Sequence, residues 1–161
     1  MATLEEAVEA GVFDLFELPA WERRLPIRPL HVTRDLIRWA DTTPQLHDPA
    51  LKIGGRTLFE HLISALCAFR CDDRVHYGDI KPLMPTKHGI WRLCPQRLRV
   101  YGWCPARHAF IGVTGVLESA TKSDRFLNDA KRDEVRAFIR ANGLEATVTR
   151  GDYLAVFPNP N

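Results

Sequence analysis

The segment GIWRLCPQRLRVYGW, residues 89–103, sets Arg97, Arg99, Tyr101 and Trp103 at alternate positions. Alternate residues of a strand share a face, so these side chains fall together while Leu98, Val100 and Gly102 turn to the core. A guanidinium group grips phosphate through a planar fork and an aromatic ring stacks on a base; together they make the chemistry of single-stranded RNA or DNA contact. Arg92 on the preceding strand, Arg107 in the turn after Trp103, and Lys122 with Arg125 beyond the third strand enlarge the basic set. A helix opening at Ser123 and Asp124 would add anion-favouring amides. Taken singly, Trp91, Trp103 and Tyr101 are more commonly packing residues. The cluster is a stronger signal than any of its members.

Other chemistries find less support. Cys104 and His108 are a nucleophile and a base close in sequence, but Pro105 and a turn separate them and no third group is evident. His88, His108, Cys94 and Cys104 form a mixed-ligand zinc set without a C-x-x-C pair to organise it. Cys67 and Cys71 stand four apart on an expected helix, and all four cysteines read as reduced thiols. GVTGVLES lacks the spacing of a phosphate-binding or dinucleotide loop, so no cofactor is expected.

The chain has 161 residues, 45% of them hydrophobic and 26% charged, which suits one globular domain spanning 1–161. Its net charge of +2 is unevenly spread. Residues 1–80 carry 9 Lys/Arg against 13 Asp/Glu, whereas residues 81–140 carry 12 against 5. A basic segment in a near-neutral chain implies a local anionic partner. MATLEEAVEA has no secretory pattern, and no apolar run approaches the roughly 20 residues of a bilayer span. A cytoplasmic protein with no membrane partner is expected.

The elements that would position the basic face are legible in outline. Thr3 with Glu6 makes a capping box for a short first helix ending at Gly11. Arg28 to Val32 reads as an edge strand, and Thr33 caps a helix through Ala40. Thr57 caps a second helix carrying Leu58, Leu62, Ala65, Leu66 and Phe69. Three strands follow, Ile90–Cys94, Leu98–Trp103 and His108–Val116, in an antiparallel meander. A helix runs from Ser123 to about Ala141, residues 145–157 read as a hairpin around Arg150-Gly151-Asp152, and NPN reads as a frayed tail.

In that order, GIWRLCP (89–95), RLRVYGW (97–103), HAFIGVTG (108–115) and ATKSDRFLNDAKRD (120–133) resemble the RelE/ParE toxin superfamily, in particular its phage-derived RelE-like and HigB-like branch. The resemblance covers about residues 30–140. It implies an α+β fold, a helical hairpin packed on a small antiparallel sheet, here with N- and C-terminal extensions. It also implies a metal-independent endoribonuclease that cuts messenger RNA, often on the ribosome, and is neutralised by an antitoxin. By position, the resemblance implies that Arg99 matches the arginine contacting the scissile phosphate, Lys122 the lysine after the third strand, and Arg92 or Arg97 an auxiliary contact. One position departs: Cys94 stands where the pattern has arginine, with Arg92 two residues earlier on the same face. A non-catalytic relative that binds another protein or nucleic acid is the alternative.

Overall fold

Three threonines start helices where the sequence predicts them. In the computed structural model, which describes residues 1–158, Thr3, Thr33 and Thr57 each accept a backbone N–H three residues on. They cap α1 (Leu4–Glu9), α2 (Arg34–Thr42) and, after the single turn of α3 (Pro44–His47), α4 (Leu58–Cys71). Glu6 and Glu60 close the reciprocal bonds to the N–H groups of Thr3 and Thr57, at 2.7 and 2.6 Å. Each such cap stabilises its helix by about 1 kcal/mol.

Six strands form one open sheet: β1 (Phe13–Leu15), β2 (Leu30–Thr33), β3 (Ile80–Pro82), β4 (Ile90–Leu93), β5 (Leu98–Trp103) and β6 (Phe110–Leu117), in the order β1-β2-β6-β5-β4-β3. Every pairing is antiparallel except β2 with β6. The sheet is thus mixed and larger than the small antiparallel one expected, although the α+β class stands. The predicted meander is present as β4, β5 and β6. The segment expected as an edge strand is β2, enclosed between β1 and β6, so β1 and β3 take the edges.

Both faces of the sheet are covered. On one side α2 and α4 pack over Leu30, Val32, Trp91, Leu98, Val100 and Phe110. On the other, α1 and a long C-terminal helix pack over Phe13, Ile90, Tyr101, Trp103, Ile111 and Val113. The helix expected from Ser123 to about Ala141 is α6 (Leu127–Ala141), which starts four residues later, and a separate short helix α5 (Glu118–Ser123) precedes it across Asp124–Phe126. The hairpin expected at 145–157 is instead a 3-10 turn, Glu145–Thr147, and a short helix α7 (Tyr153–Val156). Asp152 caps α7 by accepting from Ala155 N–H at 3.0 Å, and Val156 and Phe157 then bury against Trp91 and Phe69. Asn159–Asn161, read as a frayed tail, lie outside the described residues. Among the described residues no helix is long and apolar enough to cross a membrane.

Candidate functional site

Arg99 and Lys122 meet on one oxygen. Arg99 Nη2 lies 3.2 Å from Glu118 Oε1, and Lys122 Nζ lies 3.0 Å from the same atom. The local chain dictates this. β6 ends at Leu117 and α5 begins at Glu118, whose amide is tied to the Arg97 carbonyl at 2.8 Å. The four-residue spacing within α5 then sets Lys122 one turn from Glu118. Arg99 Nη1 donates to the Leu98 carbonyl at 2.6 Å, which ties the guanidinium to the backbone of its own strand. The Glu118 carboxyl is held below the usual carboxylate range, first by its bond to Lys122 and then by the charges of Arg99 and Arg92. Its Oε2 takes no hydrogen bond among the described residues.

Arg92 joins from β4, where the register sets it opposite Tyr101. Arg92 Nη1 and Tyr101 Oη both donate to Asn128 Oδ1 in the first turn of α6, at 3.1 and 2.7 Å. Arg92 Nε is enclosed and has no hydrogen-bond partner among the described residues. Buried groups of this kind are rare and costly, so a guanidinium with its Nε unpaired calls for a reason. The row continues across the sheet: Lys81, Arg92, Tyr101 and Thr114 are successive register partners, and Lys131 of α6 reaches Thr114 Oγ1 at 3.2 Å. A polar row therefore crosses the sheet under α6 from Lys81 to Thr114, four residues before Glu118 in the chain.

Of the three residues carried as catalytic, Arg99 and Lys122 are thus brought onto one carboxylate and Arg92 acts on it through its charge, while the remaining candidates are placed otherwise. Tyr101 and Trp103 are fully buried, because α6 lies over the face that the alternation assigned to solvent. Trp103 Nε1 donates to Thr147 Oγ1 at 3.2 Å and its ring meets Phe13 and Phe138. Neither ring is a stacking platform, which corrects the sequence reading. Arg97 sits in the β4–β5 turn with φ +56°, so its side chain does not continue the strand's alternation. Arg107 is exposed between β5 and β6, at the opposite end of the sheet from Arg99. Arg125 is exposed beside Lys122 and stacks on Phe126, its guanidinium carbon 4.6 Å from the ring centre. Ser123 and Asp124 close α5 instead of opening a helix, and the Asp124 carboxylate accepts from Phe126 N–H, so the expected anion-favouring amides are not offered there.

Glu118, Asn128 and Phe126 were missed by sequence reasoning. The E-x-x-x-K spacing of Glu118 and Lys122 was the available signal. Cys94, past the end of β4, takes no part in the cluster and lines a cavity of about 310 Å³ with His61, Ser64 and Asp72. Cys104 is fully enclosed and burial pushes its thiol well up, which removes the Cys104–His108 nucleophile. Among the described residues no three His, Cys, Asp or Glu side chains assemble into a metal set, so His88, His108, Cys94 and Cys104 do not converge. No protein-family model matches the chain, and no curated protein and no solved structure matches it significantly.

Proposed function

We propose that the chain binds RNA at the Glu118 cluster and cleaves it as a metal-independent endoribonuclease of the kind the RelE/ParE resemblance implies. The supporting observation is the meeting of Arg99 and Lys122 on Glu118 Oε1 with Oε2 left open. Cleavage of an RNA strand needs an acceptor for the 2′-OH proton, positive charge at the pentacoordinate phosphorus, and a proton for the leaving 5′ oxygen. Glu118 Oε2 takes the first proton. Arg99 and Arg92 supply fixed charge, and such pre-placed donors lower the barrier without a metal. Lys122, with three-quarters of its side chain exposed, protonates the leaving oxygen. The O2′–P bond forms and the P–O5′ bond breaks, giving a 2′,3′-cyclic phosphate and a 5′-hydroxyl. Phe126, 61% exposed under Arg125, replaces Tyr101 and Trp103 as the ring for an adjacent base. The same reading assigns messenger RNA on the ribosome as substrate, a cytoplasmic setting, and an antitoxin that covers this face.

Binding without cleavage is the second reading. A carboxylate stabilised by two cations is a weaker proton acceptor, which favours it. So does Cys94 in place of the arginine. End-labelled single-stranded RNA with purified protein in EDTA separates the two. Cyclic-phosphate ends that fall by roughly 100-fold or more in Arg99→Ala and Glu118→Gln support the first. RNA retained uncut, but released by Arg99→Ala, supports the second. RNA neither cut nor retained refutes both.

A further inference from the structure

Toward the other end of α6 from Asn128, three separate stretches bring cations to one small cavity. Lys87 and His88 come from the turn before β4, Arg136 and Arg140 from the last turns of α6, and Arg150 from the segment before α7; together they surround about 180 Å³. Glu145 is the one acid among the described residues lining it. Arg136 has Asp133 at 3.5 Å, while Lys87, Arg140 and Arg150 have no ion-pair partner among the described residues. Arg140, in the last turn of its helix, sits where the helix dipole favours a cation and needs no further explanation. Arg136 stands four residues before it as a like-charge pair, which the helix alone disfavours. Lys87 and Arg150 come from outside the helix altogether.

The convergence is built into the backbone. Gly89 has φ +65°, and a Cβ there would fall 2.4 Å from Val148 Cγ1 and 3.1 Å from the Thr149 carbonyl oxygen. Only glycine lets the 148–150 segment lie this close to the Thr86–His88 turn. Thr149 N–H also donates to the Cys104 carbonyl at 2.9 Å, pinning the segment where Arg150 faces Lys87 and His88. Gathering like charges in one place costs free energy in the empty protein, and an anion offsets that cost.

We propose that this cavity is a phosphate-binding site, holding the phosphate group of a ligand whose remainder lies outside. Arg136 and Arg150 supply planar forks and Lys87 a point charge, a donor set suited to a tetrahedral dianion. The volume is below the roughly 300–1,000 Å³ of pockets that enclose whole drug-sized ligands, so the cavity seats a head group. His88 carries the same electrostatic mark: burial first, then Arg136, Arg132 and Lys87, push its ring below the ordinary imidazole value. Two sources offer this chemistry, a phosphorylated small molecule and the backbone of an RNA strand. Arg140 lies about 18 Å along α6 from Asn128, within reach of a strand a few nucleotides long. The site stands on its own charges and does not depend on cleavage at Glu118.

The test follows the His88 ring resonances by NMR as inorganic phosphate is added at constant ionic strength. A saturable shift with a rise in the His88 pKa is expected, weakened by roughly 10-fold or more in the double variant Arg136→Gln/Arg150→Gln and kept in Arg99→Ala. Survival in Arg99→Ala separates this site from the Glu118 cluster. A response that never saturates, or one equally strong in the double variant, overturns the proposal. Should the double variant unfold by circular dichroism, Lys87→Ala at its exposed turn repeats the comparison with the same two outcomes. Competition then identifies the source: displacement of phosphate by glucose 6-phosphate marks a small ligand, and tighter displacement by a 12-nucleotide RNA lacking terminal phosphates marks a backbone.

Discussion

Asn128 Oδ1 accepts from Arg92 Nη1 and Tyr101 Oη at once, so one amide oxygen fixes two side chains that the β4–β5 register sets opposite each other. Its loss would leave a buried phenol and a half-buried guanidinium without an acceptor. Asn128→Ala is accordingly expected to destabilise the fold by about 1–3 kcal/mol, read from the urea midpoint. An unchanged midpoint would show that water replaces the amide. The same change frees Arg92, so retained RNA contact with lower stability is the expected pattern. At the thiols, burial decides the outcome. Cys67, Cys71 and Cys104 are buried, with Cys67 pushed up to about 11 and the other two also raised, whereas Cys94 is partly exposed. One thiol of the four is expected to react quickly with a disulfide reagent in native protein at pH 7.5, and Cys94→Ser removes that fast phase. A fast phase that survives the substitution would mean that the enclosed thiols open readily.

The helix starts at Thr3, Thr33 and Thr57 were legible because each needs only a side chain within three residues of the backbone it caps, whereas α6, which starts without a side-chain cap, was misplaced to Ser123. The order of strands was not legible, since β2 joins β6 across nearly 80 residues and no local signal announces that partner. The alternation in β5 was also read correctly, with Leu98 and Val100 on one face and Tyr101 and Trp103 on the other. What failed was the assignment of that second face to solvent. Val135 and Ile139 of α6 needed an apolar surface, and they are buried over those rings. Arg99 and Lys122 were legible by type as members of one basic set, while Glu118 was not, because the expected third strand stops at Val116 and the expected helix starts at Ser123, leaving most of α5 between them unassigned. Packing of α2 on β6 gives an element-scale prediction. Trp39 lies where a Cβ on Gly115 would be, 2.4 Å away, and Leu36 lies the same way over Gly112 at 2.7 Å. Gly115→Ala is expected to push α2 off the sheet and cost about 1–3 kcal/mol, read by thermal unfolding. A neutral result would mean that Trp39 changes rotamer without loss.

For the molecule as a whole, the pH dependence of stability follows from which groups the fold prefers uncharged. His31, His88 and His108 all sit below the ordinary imidazole value of 6.5, in each case chiefly through burial. Neighbouring cations push the same way: Arg70 at His31, Arg136, Arg132 and Lys87 at His88, and Arg28 and Arg107 at His108. An unfolded chain takes up these protons near pH 6.5 whereas the folded chain resists, so the stabilisation is complete above about pH 7 and drains as pH falls through the lowered values. Glu60, Glu118 and Asp133 are held low by hydrogen bonds and cations. Their share persists to lower pH and drains only as acid reaches their own lowered values. Acid unfolding should therefore begin with a histidine stage starting near pH 6.5 and continue with a carboxylate stage starting near pH 4. His31 is the cleanest handle, since its half-buried ring lies in β2 away from both basic clusters. His31→Gln, which cannot take the proton, is expected to flatten the fall in urea midpoint between pH 7.5 and 5.5 while leaving the later stage in place. If the fall in that window is as steep as in the parent chain, the histidine charge is being absorbed elsewhere and the burial of His31 does not govern the first stage.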